Sequence, residues 1–562
     1  MILQSLVNLY ERDSKMAPFG FESHPYLWAV VLDDVGRLVT LEDVRVDGKA
    51  VPLMVPAWAS NRTSSIIPSF LTDPAQYLLG VTKEKDEETD EEEEDEGSEA
   101  SKDRTTQWIE HNAKLLGAAT DPRLVAVRRW LESWTTRAGA TLAEQHEVKW
   151  GQPVAIKIGE TYAHEVPEAR ELWERHLAEA AGDKGLCLVS GEIAPLATTH
   201  GTLVLAESGK LVSFDADSTA LRHWGYEGND NAPISERASH AYVTALKTLK
   251  DRGQVALIAG LWIAYWTDAE GIAGRAWAAE LEASLSGKVR PIAEDEDRRL
   301  GQALEALRRG QLPPDASPDA PYHILAISPG KGRHAIRWQL HSTLGEYCEH
   351  VRQHMKNMGL QRAPPIYSLL RASRHDKSKT PAPICLAMVK AVLTGATYPS
   401  SLMSGVLGRL RAGEDITWER AALLRGWLTR NRNLSEETMS TDASYRLGQV
   451  LRLVERMQTD GNPGVRVTVR NRLWGLMTTR PAAGLDRLMD GVNIYKQALR
   501  REGKAGLAEW YDGRIAELLA DLELPPIMTE IDRAQMALGY YAERVRRAGD
   551  EKNQNTSVAT AN

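Results

Sequence analysis

From about residue 340 to the C-terminus, apolar residues return every three or four positions, and almost nothing in that stretch alternates as a strand would. This spacing lines up one face of a helix and commits the second half of the chain to helical layers. Leu447, Val450, Leu451 and Val454 share one such face, and Leu485, Leu488, Met489 and Val492 share another. Leu507, Tyr511, Leu518 and Leu522 make a third. Beyond Pro525 and Pro526, Ile527, Ile531, Ala534, Leu538 and Tyr541 line a fourth. Four amphipathic faces predict a separate bundle over 439–562, with a polar, frayed tail after Asp550.

The first half reads differently. Residues 1–12 have helical spacing, whereas 27–33 and 37–41 are short apolar runs joined by an Asp34-Val35-Gly36 turn, as in a strand pair. Residues 105–148 read as helical, with Asp121-Pro122 as a start signal. Strand character returns over 186–214, Ser235 is placed to cap a helix, and a Pro/Asp-rich link at 311–321 leads into a strand at Tyr322. The fold class is therefore α+β: a mixed α/β N-terminal body with short sheets, followed by a C-terminal helical bundle. The expected divisions are 1–82, an intervening loop at 83–104, the rest of the body at 105–435, and the bundle at 439–562.

Residues 83–103 hold thirteen Asp/Glu and three Lys with no periodic apolar residue, a composition expected to be disordered. The formal net charge of −9 comes from this run; without it the chain stands at +1. The body is thus neutral and its arginines can form local basic patches. The run itself is either a solvated spacer or a flap that mimics nucleic-acid charge.

Three widely separated cysteines (Cys187, Cys348, Cys385), with no CxxC pair and no signal peptide, fit a reduced, cytoplasmic protein. The longest apolar run, 255–266, is shorter than the roughly 20 residues a membrane span needs. Residues 328–334, SerProGlyLysGlyArgHis, are not a phosphate loop, and no GxGxxG or GxSxG is present. Glu346, His350 and His354 are spaced i, i+4, i+8 and could offer part of a metal site, so a metal-dependent nuclease is one alternative. His375-Asp376 is a lone pair without further ligands. The basic positions are more informative. Lys331, Arg333 and Arg337 flank a glycine turn, a geometry suited to phosphate. Arg466, Arg470, Arg472 and Arg480 crowd around Trp474, as in a phosphate-tracking groove.

Several blocks occur together in one order: MILQ..VNLYER and PFGFE, IIPSFLTDPAQYLLG, CLVSGE, LVSFDAD, NAPIS, ILAISP, AVLTGATYPSSLMSGVLGRLRA, RAALLRGWLTRN, YRLGQVLRLVERMQ and ALGYYAER. This pattern resembles the large subunit of the type I-C CRISPR surveillance complex, Cascade. The resemblance implies a non-enzymatic subunit without a cofactor, which reads a short protospacer-adjacent motif (PAM) in target double-stranded DNA and promotes duplex opening. Its implied partners are the crRNA-bearing backbone and crRNA-processing subunits, a small subunit made from its own C-terminal region, and the helicase–nuclease. It also implies a DNA-reading loop at Arg62, Thr63, Ser64, Ser65, Ser69 and Asp73, and an internal translation start at Met439. The chain departs from the family at Ser69, Thr72 and Pro74, where Asn, Trp and Asn are favoured. The competing reading is that Phe70, Leu71, Tyr77 and Leu78 pack a strand pair and leave the polar residues as turn formers. A further alternative is a scaffold subunit that never touches DNA.

Overall fold

The computed structural model describes residues 2–57, 66–82, 93–180, 183–214, 228–288, 297–374 and 380–559. The chain forms two compact units, one of residues 1–204 and 208–248, the other of residues 205–207 and 249–562.

The first unit opens with helix α1 (Ile2–Arg12) and strands β1 (Phe21–Tyr26), β2 (Trp28–Leu32), β3 (Leu38–Asp43) and β4 (Val51–Pro56). After β5 (Asp73–Pro74) and the single turn α2 (Ala75–Leu78) come α3 (Glu93–Leu115), α4 (Pro122–Ser133) and α5 (Thr136–Gln145). Strands β6 (Pro153–Ile158) and β7 (Thr161–Tyr162) precede α6 (Pro167–Ala180), the hairpin β8 (Lys184–Leu186) and β9 (Ile193–Pro195), and α7 (Glu236–Asp251). The main sheet runs β3-β2-β6-β5, with β7 added to β6, and β2 and β6 are parallel. Its core joins Val30, Leu32 and Ile156 to Trp108, Leu124 and Trp130 on the covering helices.

Two start signals hold. Asp121 accepts the Arg123 amide at 2.9 Å at the head of α4, ahead of Pro122, and Ser235 accepts the Ala238 amide at the head of α7. The acidic run does not behave as composition suggests throughout. Helix α3 begins at Glu93, inside the segment expected to be a disordered loop, while 83–92 lie outside the described residues. Low hydrophobicity excludes a packed core but not a helix, because Glu is a good helix former and carboxylates suit a helix N-terminus.

The second unit is built on an antiparallel sheet ordered β10 (Val255–Ile258), β11 (Leu261–Thr267), β12 (Pro321–Ser328) and β13 (Ala335–Thr343). Helices α8 (Gly271–Ser286) and α9 (Asp297–Arg308) interrupt the strands. The helical half follows as α10 (Leu344–Met358), α11 (Ile366–Ser373), α12 (Ala382–Thr394), α13 (Ser400–Arg411), α14 (Trp418–Arg432) and α15 (Glu436–Thr441). It ends with α16 (Ala443–Gly461), α17 (Val469–Met477), α18 (Pro481–Arg501), α19 (Ala505–Leu519) and α20 (Glu530–Ala559).

The expected bundle is present, but its boundary near 439 is not a break in packing. One continuous core runs from Ala256 in β10 to Tyr540 in α20. Leu522 and Ile527 also fall outside the helices they were assigned to, and Ile527 is exposed. Helices α16 and α20 cross where a Cβ on Gly448 would sit 1.9 Å from the Met536 carbonyl oxygen, and one on Gly539 would sit 1.9 Å from that of Tyr445. Only glycine permits two backbones this close.

Candidate nucleic-acid interface

Strands β12 and β13 form a hairpin whose turn, Pro329 to His334, carries the first basic group. The turn folds around His334, which is buried, and its Nδ1 accepts the Gly330 amide at 3.3 Å. Gly332 takes φ +77°, a left-handed conformation that glycine adopts without strain. Lys331 and Arg333 therefore point outward and are exposed. The register then shifts: Ala326 faces Trp338 while Ile327 faces Ile336, so Arg337 is the extra residue of a bulge. Bulges re-aim side chains at sheet edges, and Arg337 is exposed on the edge strand. None of these three cations has a carboxylate partner among the described residues. Lys390 of α12 adds a fourth charge beside the strand, with its Nζ 5.5 Å from the Trp338 ring centroid. Its distance in sequence hides it from any reading of local patterns.

The second basic group divides. Arg466, Arg472 and Arg480 are exposed, and Arg472 donates to the Tyr495 hydroxyl at 3.1 Å. Arg470 does not join them. It is buried, ion-paired to Asp415 at 3.3 Å and sandwiched with its guanidinium 5.4 Å from the rings of both Trp474 and Tyr540. An arginine so placed holds α17 to α20, and its expected phosphate contact is corrected to a packing role.

The comparison with protein-family models bears on the whole chain: a model described as CRISPR-associated protein (Cas_Csd1) matches residues 6–548. The chain belongs to the CRISPR-associated Csd1 family. No curated protein matches it.

In this Csd1-family chain, Arg62, Thr63, Ser64 and Ser65 of the expected DNA-reading loop lie outside the described residues. Ser69 and Asp73 are described, and both are buried. The Asp73 carboxylate accepts the Ser69 amide at 2.7 Å. Asn112 on α3 closes the turn, accepting from the Leu71 amide at 2.7 Å and donating to the Ser69 carbonyl at 2.9 Å. Leu71 is held there at φ +61°, unusual for a bulky side chain. Phe70, Leu71, Tyr77 and Leu78 are all in the core, and the Phe70 ring stacks on Trp173 at 5.8 Å. Ser69 and Asp73 are thus turn formers in this structure, not groups offered to a base edge.

The alternative metal triad is not brought together in the Csd1-family fold. His354 faces the core, where its Nδ1 lies 2.6 Å from the Tyr398 hydroxyl, and burial followed by the nearby Arg430 lowers its pKa to about 3. Glu346 is exposed and held by the Ser342 hydroxyl, which keeps its carboxyl below the usual range. Among the described residues no group of three or more His, Cys, Asp or Glu converges on a metal-sized site. His375 and Asp376 lie outside them. No described helix is long and apolar enough to cross a membrane.

Proposed function

We propose that this chain is the large, DNA-recognition subunit of a type I-C Cascade, a binding protein and not an enzyme. In this reading guide pairing supplies sequence specificity while the protein reads a short PAM and the DNA backbone. Its partners are target double-stranded DNA, the crRNA-bearing backbone and crRNA-processing subunits, and the helicase–nuclease that follows duplex opening. Family membership supports the setting. The observation that carries DNA contact is the β12–β13 hairpin, where Lys331, Arg333 and Arg337 stand exposed and without carboxylate partners among the described residues. Surface cations are ordinarily interleaved with acids; an exposed basic segment that is not suits phosphate.

The test is duplex binding by the reconstituted crRNA complex, with and without this chain, across a randomised PAM library. Motif-dependent enrichment that requires the chain is the expected result, and equal enrichment without it would reduce the protein to a scaffold. Lys331→Ala, Arg333→Ala and Arg337→Ala should each lower the slope of log affinity against log salt by about 0.9 if each neutralises one phosphate. A change at Arg62 that instead relaxes the motif, at a cost of about 1–3 kcal/mol, would mark a base contact.

The reading extends to a small subunit that starts at Met439. Met439 is buried within α15, and α16 begins shortly after it at Ala443. A C-terminally tagged gene should yield a second product corresponding to 439–562, and Met439→Ala should abolish it; persistence of that product would rule out this start.

A further inference from the structure

Helix α13 carries small residues where a surface helix ordinarily carries long polar ones. Ser401, Ser404, Gly405 and Gly408 fall at i, i+3, i+4 and i+7 and share one face, with Ser401, Ser404 and Gly408 exposed. A cavity opens on each side of that face. One, of about 340 Å³, lies against the end of α11 and the start of α12; the other, of about 220 Å³, lies against the end of α17 and the start of α20. Gly408 borders both, and a Cβ on it would meet nothing within 4 Å. The helix is a low sill between two recesses.

The walls are rich in donors. Arg374 borders the first recess and Arg411 the second, and neither guanidinium has an ion-pair partner among the described residues. Arg533 also lines the second, donating its Nε to the Thr478 carbonyl at 3.0 Å. Thr380 lines the first; it is only 8% exposed, and its hydroxyl has no partner among the described residues. A buried hydroxyl left unpaired is unfavourable, and an oxygen-bearing ligand in the recess would satisfy it. Among the described residues the one carboxylate in either wall is Glu530, which accepts from the Ser404 hydroxyl at 3.2 Å. The balance is cationic, and a face of serine and glycine admits a chain's backbone closely.

We infer that α13 is the floor of a track for the sugar-phosphate backbone of a single DNA strand, with Arg374 and Arg411 as its phosphate contacts on either side of Gly408. From Ser401 to Arg411 the helix advances roughly 15 Å, and recesses of this size accept one strand and exclude a duplex. The inference rests on the reading of the chain as a DNA-engaging subunit and names a strand contact separate from the β12–β13 hairpin.

The test uses the full chain and a fluorescein-labelled oligothymidylate, with anisotropy read over a salt series. Gly408→Glu places a carboxylate on the sill without steric conflict in the fold. It should weaken oligothymidylate binding about tenfold or more at low salt, while Gly408→Ala stays close to wild type. Arg374→Ala and Arg411→Ala should each lower the salt slope by about 0.7, the single-strand value per phosphate. Undiminished binding by Gly408→Glu, or no binding by the wild-type chain, would overturn the inference, the first outcome being what a partner helix seated on α13 would give. The PAM-library selection reports on the hairpin reading independently, so either reading can fail while the other stands.

Discussion

Gly448→Ala is expected to destabilise the second unit by about 3 kcal/mol, the upper part of the range for overpacked interiors. The added methyl would lie 1.9 Å from the Met536 carbonyl oxygen, and backbone, unlike the end of a flexible side chain, cannot step aside. Gly539→Ala meets the Tyr445 carbonyl oxygen at the same separation from the opposite helix and should cost a similar amount. Urea unfolding of the full chain, with hydrogen exchange on α16 and α20 to localise the loss, makes the measurement. Gly408→Ala is the control: no atom lies within 4 Å of its Cβ, so helix propensity alone predicts a gain of up to about 1 kcal/mol. If Gly448→Ala unfolds at the control's urea midpoint, the close crossing of α16 and α20 is wrong.

Glu455→Ala should rank with it, at about 3–5 kcal/mol, because it breaks a buried charge pair from one side. Glu455 is buried on α16, accepts from the Tyr540 hydroxyl, and pairs with Arg452 at 2.8 Å. Arg452 and Arg470 each hold a guanidinium about 5.5 Å from the Tyr540 ring. Removing the carboxylate leaves two arginines around a tyrosine whose hydroxyl has lost its acceptor. Glu455→Gln keeps an acceptor oxygen and should recover a substantial part of the loss; equal effects of the two substitutions would show that the charge does not matter. Gly448 and Glu455 stand seven residues apart on the same helix and face the same partner, so their double mutant should not be additive.

The helical half was legible because its signal is periodic and local. Leu447, Val450, Leu451 and Val454 are all fully buried, as their spacing requires. The caps at Asp121 and Ser235 were legible for the same reason: a cap acts over three residues. What could not be read were partners supplied from a distance. Ser69 and Asp73 look like an exposed hydroxyl-rich loop until Asn112, on the far side of the acidic run, closes over them. Arg470 looks like one of four equivalent cations until Asp415, 55 residues earlier, claims it. His354 has helical spacing to Glu346, but the Tyr398 hydroxyl turns it into a core residue. In each case residue type and spacing were right for a site, and a long-range hydrogen bond or ion pair decided otherwise. The Lys331 and Arg333 side chains kept their place in the candidate site because no described carboxylate reaches them.

Tyr322, Ile324 and Ala326 of strand β12 belong to the same close-packed cluster as Leu447 in α16 and Ala537 in α20. Interiors packed to this density compress very little and transmit strain. The second unit is therefore expected to act as a stiff lever: with no break in packing near residue 439, a pull on Lys331 or Arg333 should reach α20 as displacement.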